Sequence, residues 1–402
     1  MRHLLAIKNF VNPYIRSFID KRRVFVRYEW PSVVGILSLG ANIVISALLH
    51  KLSPLSITFA VSSVGVWAYG YSKIRKARES YHRPDRLESG ILRSMSDDLA
   101  SRILIVEGEV FLPLSLPKSI AAGSNVVAGT AVDYDLPQPL RALLPVVILT
   151  KRDRALIMDR PGLGLADIGD SRMDVRKLTY FQHLASNNAF RCYARPYGQA
   201  ALDVLNSYVF RDNGGLVDFS ESEFPNLIGI STLATVEDGR IFIVESDGRN
   251  SGSPRLIHPS GSGSMEPKDL SEKLSPHDLI VRAMERELCE ESSVRHDEID
   301  STEIIGFARW INKGAMPEFF GLTRTRVRAD VLERRRPEGE DPLFVRKVVV
   351  TNLRVRDISV PVVGRRADLR GFDAIVAGSC SGPLGVLLWL VSERERAKRG
   401  GI

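Results

Sequence analysis

The sequence predicts an α/β domain standing behind an N-terminal hairpin of two transmembrane helices. Three observations lead there. Residues 32–49 and 55–71 are charge-free runs of eighteen and seventeen residues, joined by a five-residue link that contains Pro54. The C-terminal half alternates β-rich runs with turn signals. Within that half, one amphipathic segment carries carboxylates at 287, 290 and 291, a spacing that a helix gathers onto one stripe.

In residues 1–30, Leu4, Ile7, Val11, Tyr14, Ile15 and Phe18 recur at helical spacing among Lys8, Arg16, Lys21, Arg22 and Arg23. This is the pattern of an interfacial amphipathic helix, bent near Pro13. The basic stretch is too long for a signal peptide and no small-residue cleavage site follows it. In segment 31–72 both runs reach the lower limit of about 17 residues for a bilayer span, and the short link forces a hairpin. Seven Lys and Arg precede the first run, four follow the second between 73 and 78, and Lys51 stands alone between them. Both termini are therefore expected on the cytoplasmic side of an inner membrane. Ser32, Gly35, Ser38, Asn42 and Ser46 mark one face of the first run. Thr58, Ser62, Gly65 and Tyr69 mark one face of the second. Such small polar faces let membrane helices approach, and a homo-oligomer is expected. The sharper possibility is that these faces line a pore, with Asn42 near mid-membrane.

Charge divides along the same line. Residues 1–80 hold 12 Lys and Arg against 3 Asp and Glu, leaving 43 against 45 for the rest of the chain. The basic excess is a membrane-surface feature. No basic groove interleaved with aromatics stands elsewhere, so DNA or RNA duplex binding is not expected.

Residues 73–102 read as a juxtamembrane connecting helix. Residues 103–220 read as an α/β extension or small subdomain, with strands over 103–111, 146–150 and 155–158. The run Asp159-Arg160-Pro161-Gly162-Leu163-Gly164 lacks the lysine of a Walker loop and reads as a turn. Residues 221–402 form the principal domain. Strands over 230–236 and 241–245 are joined by Glu237-Asp238-Gly239-Arg240, a hairpin signal. The Gly-, Ser- and Asn-rich stretch 246–264 reads as a flexible loop. Strands follow over 303–310, 318–326, 348–355 and 374–377, and a helix over 383–398 closes the chain. Cys192, Cys289 and Cys380 are odd in number and without zinc spacing, which suits free thiols in a cytosolic domain. Cys289 reads as a helix filler.

Residues 286–294 read Arg-Glu-Leu-Cys-Glu-Glu-Ser-Ser-Val. Glu287, Glu290 and Glu291 repel one another unless a cation sits between them, and Mg²⁺ or Mn²⁺ prefers such all-oxygen sites. Arg286 is placed to pair with one carboxylate. An apolar face of Ile280, Met284, Leu288 and Val294 is expected opposite. An ordinary solvated acidic helix is the plain alternative.

The run resembles the core of the Nudix box, and the resemblance covers about residues 220–400. It departs from the pattern at Ser293, where the family has glycine, and at Asp278, the acidic position eight residues before the arginine. The box glycine belongs fourteen residues before Arg286, where Glu272 stands, and the nearest upstream glycines are Gly261 and Gly263. The resemblance implies a Nudix-like α/β/α sandwich in the cytosol, in which Glu287, Glu290 and Glu291 hold the metals that grip a diphosphate. Arg309, Trp310 and Glu318, on or beside the following strands, are the further candidates for nucleotide contact, with Trp310 either stacking on a base or sitting in the core.

Two spans joined to such a domain resemble the SMODS-associated Nudix effectors of CBASS antiphage systems. That architecture implies a cyclic or linear oligonucleotide ligand, binding without efficient turnover, and hairpins that oligomerise and disrupt the inner membrane. A membrane-tethered Mg²⁺-dependent hydrolase of a nucleoside diphosphate derivative, and an inert anchor for another protein, are the competing expectations.

Overall fold

The structure is a computed structural model. It describes residues 61–62, 64–65, 68, 72, 87–120, 131–141, 143–144, 147–148, 157–170, 172–189, 193–194, 202–203, 208–246, 256–271, 274–335, 345–369 and 380–400. The run 32–49, most of 55–71, Cys192 and the strand expected over 374–377 lie outside the described residues. Among the described residues, no helix is long and apolar enough to cross a membrane.

Within the described part of the connecting helix expected over 73–102 there are two short helices, α1 (Leu87–Ser94) and α2 (Asp97–Ser101). The break is chemical: Ser96 adopts extended backbone and its hydroxyl accepts from the Leu99 amide at 3.3 Å, starting a second helix. The single strand expected over 103–111 is a hairpin, β1 (Leu104–Val106) and β2 (Glu109–Leu114). Glu107 and Gly108 both take positive φ, 48° and 76°, the tight turn that reverses two strands.

Next come β3 (Val132–Asp133), α3 (Gln138–Arg141), β4 (Pro161–Ile168), β5 (Met173–Thr179) and α4 (Tyr180–Ala185). β3, β5 and β4 form a small sheet of their own. β4 corrects the turn expected at 159–164. Its glycines mark close approach: a Cβ on Gly164 would lie 1.9 Å from the Pro225 carbonyl oxygen, and one on Gly162 2.8 Å from Leu227. Val147 and Ile148 are helical where a strand was expected, and Ile157 and Met158 belong to no strand. A two-stranded ribbon, β6 (Tyr193–Ala194) with β7 (Leu202–Asp203), follows.

The principal sheet is built from β8 (Gly229–Thr235), β9 (Arg240–Ser246), β10 (Ile257–His258), β11 (Gly261–Ser264), β12 (Ile299–Trp310), β13 (Met316–Thr325), β14 (Val345–Arg354), β15 (Val362–Val363) and β16 (Arg366–Ala367), joined by β1 and β2. Its order is β10-β9-β8-β13-β12-β2-β1-β16-β15, with β11 also on β8 and β14 also on β9. β2 hydrogen-bonds along β12, so the pairing runs across the boundary expected at residue 220. The tail of the expected 246–264 loop is ordered as β10 and β11.

The sheet curls because β8 divides its edge. Residues 229–232 pair with β11, and Ala234 and Thr235 pair with β9. At the fork, the buried Ser260 hydroxyl accepts from the Ala234 amide and donates to the Phe242 carbonyl, both at 2.6 Å. It satisfies two backbone groups that the split ladder leaves over.

Helices cover both faces. α5 (Pro276–Ser292) packs Leu279, Ile280, Ala283 and Met284 against Ile230 and Phe319. α7 (Gly382–Gly400) packs Leu384, Leu387, Leu388 and Val391 against Leu233, Phe320 and Leu322. Phe319 and Phe320, adjacent on β13, point to opposite layers as strand alternation requires. A short α6 (Ala329–Leu332) closes a smaller cluster with Val236 and Phe242. The fold is thus mixed α/β, with helices on both faces of a curled sheet.

Candidate functional site

Helix α5 begins at a built start: Ser275 caps it, accepting from the Asp278 amide at 3.2 Å, and Pro276 takes the first helical position. It ends at Ser293 in left-handed backbone, φ 62°. The carboxylates are not opposite the apolar face, as expected, but continue it. Ile280, Met284, Glu287 and Glu291 follow at steps of four, three and four on one stripe. The first two meet the core and the last two meet β11.

β11 makes room for them with glycines. A Cβ on Gly261 would lie 2.6 Å from the helix backbone at Leu288, and one on Gly263 2.3 Å from the Glu287 carboxylate carbon. Glu291 accepts from the Ser262 amide at 2.8 Å.

Arg286 organises the cluster. Its Nε and Nη2 donate to the two oxygens of Asp269 at 2.7 and 2.9 Å, a bidentate pair. Nη2 also donates to the Ser264 carbonyl at 2.9 Å, and Nη1 to Glu287 at 2.7 Å and Glu290 at 3.1 Å. Burial works against the Arg286 charge, but the Asp269 hydrogen bonds and the Glu287 charge outweigh it and raise its pKa. Lys268 donates to Glu290 at 3.0 Å and pairs with Glu266 at 3.1 Å. Burial lowers the Lys268 pKa, and these two partners raise it by more.

Asp269, 1% exposed, is therefore the acid that meets Arg286. Asp278 is 56% exposed and turns instead to Ser275 and His277. Asp269, Glu266 and Lys268 were missed in sequence because they precede Arg286 by more than the expected interval. A signal was present: Gly263 and Asp269 stand six residues apart, the separation expected between the box glycine and its acid.

Four carboxylates, of Glu266, Asp269, Glu287 and Glu290, here share two cations. Fully ionised, this group carries two surplus negative charges. Burial pushes Glu287 up to about 7, Arg286 pulls it down, and Glu290 and Glu266 crowd it upward. All-oxygen donors with surplus charge are the donor chemistry a hard divalent ion takes, and the space at Gly263 is filled by the Glu287 carboxylate itself. As the side chains are set, no three His, Cys, Asp or Glu among the described residues converge as a metal site.

The other three candidates are interior. Arg309, 6% exposed, donates to the carbonyls of Ala315 and Val217 at 3.0 and 2.7 Å and lies over the Phe219 ring. Burial pushes it down to about 10. Trp310, 5% exposed, stacks on Phe111 and donates to Glu109 at 2.9 Å, so it is a core tryptophan rather than a base platform. Glu318, 3% exposed, accepts from the Ser231 hydroxyl at 2.7 Å. Burial pushes it up to about 7, while Ser231 and the Lys313 charge pull it down. Neither Arg309 nor Trp310 reaches the α5 carboxylates.

An open groove of about 990 Å³ runs along the outer side of α5, where Lys268, Leu274, Val281, Arg282, Cys289 and Glu290 line it. Burial and the nearby glutamates push the Cys289 thiol up to about 11, which suits a filler rather than a nucleophile.

No family model matches the chain, and no curated protein matches it. Solved structures similar to parts of it include DR0079 from Deinococcus radiodurans, 16% identical over 45% of this chain and 96% of that one, TM-score 0.26. Tm1382, described as a candidate Nudix hydrolase, is 13% identical over 42% of this chain and 71% of that one, TM-score 0.27. Likenesses this distant carry no argument about activity.

Proposed function

We propose that residues 221–402 form a Nudix-like nucleotide-binding domain and that the chain is a membrane effector of an antiphage defence system, sensing a cyclic or linear oligonucleotide. The observation that carries the Nudix-like reading is the lock of Arg286 on Asp269, with Glu287, Glu290 and Glu291 beside it. Gly263 and Asp269 keep the family's six-residue step. Asp269 lies seventeen residues before Arg286 rather than eight, so nine extra residues interrupt the motif ahead of the helix. Ser293 takes the left-handed position that explains the family's glycine.

Glu287, Glu290 and Glu291 would hold Mg²⁺ or Mn²⁺, which when bound supplies positive charge to a diphosphate. The chain's own residues do the rest. Arg286 orients the carboxylates, Gly263 leaves Glu287 its space, and Lys268 and Arg282 present cations along a groove floored by Leu274 and Val281. Binding is favoured over turnover because the motif departs from the family pattern at Glu272, Asp278 and Ser293 and the loop ahead of the helix is lengthened. A tethered hydrolase is the second reading, supported by retention of all three glutamates.

The charge-free runs 32–49 and 55–71 would anchor the domain and, on ligand binding, oligomerise and disrupt the inner membrane. Complete switching of such an equilibrium needs about 5.5 kcal/mol of differential affinity, which subunits of a homo-oligomer share.

The test is entry of a membrane-impermeant dye into cells co-expressing a cyclic-oligonucleotide synthase. Entry is expected for the full chain and lost on deletion of residues 32–71. Loss in the Glu290→Gln/Glu291→Gln variant would tie it to the site. No dye entry in any arm, with Mg²⁺-dependent cleavage of nucleoside diphosphates by the same chain, would replace the effector by the hydrolase.

A further inference from the structure

We propose that Lys268, which also pairs with Glu266, is a resident counter-ion that competes with a divalent cation for the Glu290 carboxylate. The inference rests on the metal-binding reading of this cluster and adds to it a residue that sets how readily the metal enters.

Three observations carry it. Lys268 Nζ lies 3.0 Å from a Glu290 oxygen and 3.1 Å from a Glu266 oxygen, so one ammonium joins the helix to the segment before it. The second Glu290 oxygen is held by Arg286 at 3.1 Å, so both oxygens of this carboxylate face a protein cation. The two cations differ in their freedom to leave. The Arg286 side chain is 13% exposed and fixed by Asp269 from two sides, whereas that of Lys268 is 51% exposed on a flexible stem. Arg286 is therefore permanent and Lys268 exchangeable. An arriving cation displaces the ammonium into solvent at small cost, because the Lys268 end of both pairs is half exposed and ion pairs open to water are individually weak.

The experiment measures Mn²⁺ affinity by electron paramagnetic resonance and thermal unfolding with and without Mn²⁺, on the full chain. The variants are Lys268→Met, Lys268→Arg and Glu290→Gln. Lys268→Met is expected to bind Mn²⁺ about tenfold tighter than wild type, from the loss of two weak competing pairs. Its metal-free Tm should fall, because like charges lose their counter-ion, and its gain in Tm on adding Mn²⁺ should exceed the wild-type gain. Lys268→Arg should stay near wild type and Glu290→Gln should bind more weakly. Equal or weaker Mn²⁺ affinity in Lys268→Met overturns the competition while leaving the metal reading intact. Absence of Mn²⁺ binding in every variant, wild type included, overturns both.

Discussion

Glu287 on α5 and Glu318 on β13 are both carboxylates that burial pushes up to about 7, yet they stand in opposite surroundings. Glu287 belongs to a network at the edge of a groove, with Arg286 at 2.7 Å and other carboxylates close by. Glu318 lies inside the sheet, and among the described residues its hydrogen bond comes from the Ser231 hydroxyl. Gly229 leaves it space, since a Cβ there would lie 1.7 Å from its second oxygen. The same elevated pKa therefore reports two different things. At Glu287 burial comes first, opposed by Arg286, and the neighbouring Glu290 and Glu266 add negative charge that a cation can relieve. At Glu318 it reflects isolation from water, which no soluble ion reaches without opening the sheet.

The largest test breaks the first network at its centre. Arg286→Met should cost about 3–5 kcal/mol, because it strands Asp269 and Glu287 without their partner. Urea unfolding measures it, and a loss below about 1 kcal/mol would show that the network is held chiefly by something else.

The next test separates the two carboxylates by pH. Each folded-state pKa lies above the ordinary carboxylate value, so the native state binds extra protons between about pH 4 and 7. The stability contributed by those protons is lost as pH rises through that window. Glu318→Gln should remove its share of the slope, about 1–3 kcal/mol between pH 5 and 8. Divalent cations at pH 8 should still raise its Tm, because the α5 cluster is intact. An unchanged slope in Glu318→Gln would mean that Glu318 does not titrate in this range. Glu298 acts on the acid side: the Arg335 hydrogen bonds hold it down to about 2, so its contribution is lost only as pH falls toward that value.

The smallest effect concerns the helix that carries the first network. Ser293 adopts φ 62°, and among the described residues its buried hydroxyl has no hydrogen-bond partner. Ser293→Gly should stabilise by about 1 kcal/mol, because glycine takes left-handed backbone without a Cβ clash. Urea unfolding checks the gain, and destabilisation would show that the hydroxyl matters more than the backbone.

Local chemistry made much of this legible in the sequence. The β8–β9 hairpin, the strands β12 and β13 and the helix α7 follow from short-range periodicity and turn residues. The stripe of Glu287, Glu290 and Glu291 follows from helical spacing alone. Some expectations failed through local chemistry, as at the Ser96 cap and the Glu107-Gly108 turn, and others through contact between distant segments. The glycines of β4 resemble a turn until Pro225 and Leu227 are seen pressed against them.

By itself, then, the sequence determined which residues share a helix face or a strand face, because those relations repeat every few residues. It also determined the separation of a basic N-terminal segment from a nearly neutral remainder. Tertiary structure decided which acid meets Arg286, since nine extra residues hide Asp269 from a fixed interval but not from the folded chain. It decided that Arg309 and Trp310 belong to the interior, because a strand position becomes core only when both faces of its sheet are covered. And it decided that Lys268 stands among the carboxylates, a proximity set by how the segment before α5 folds back onto the helix.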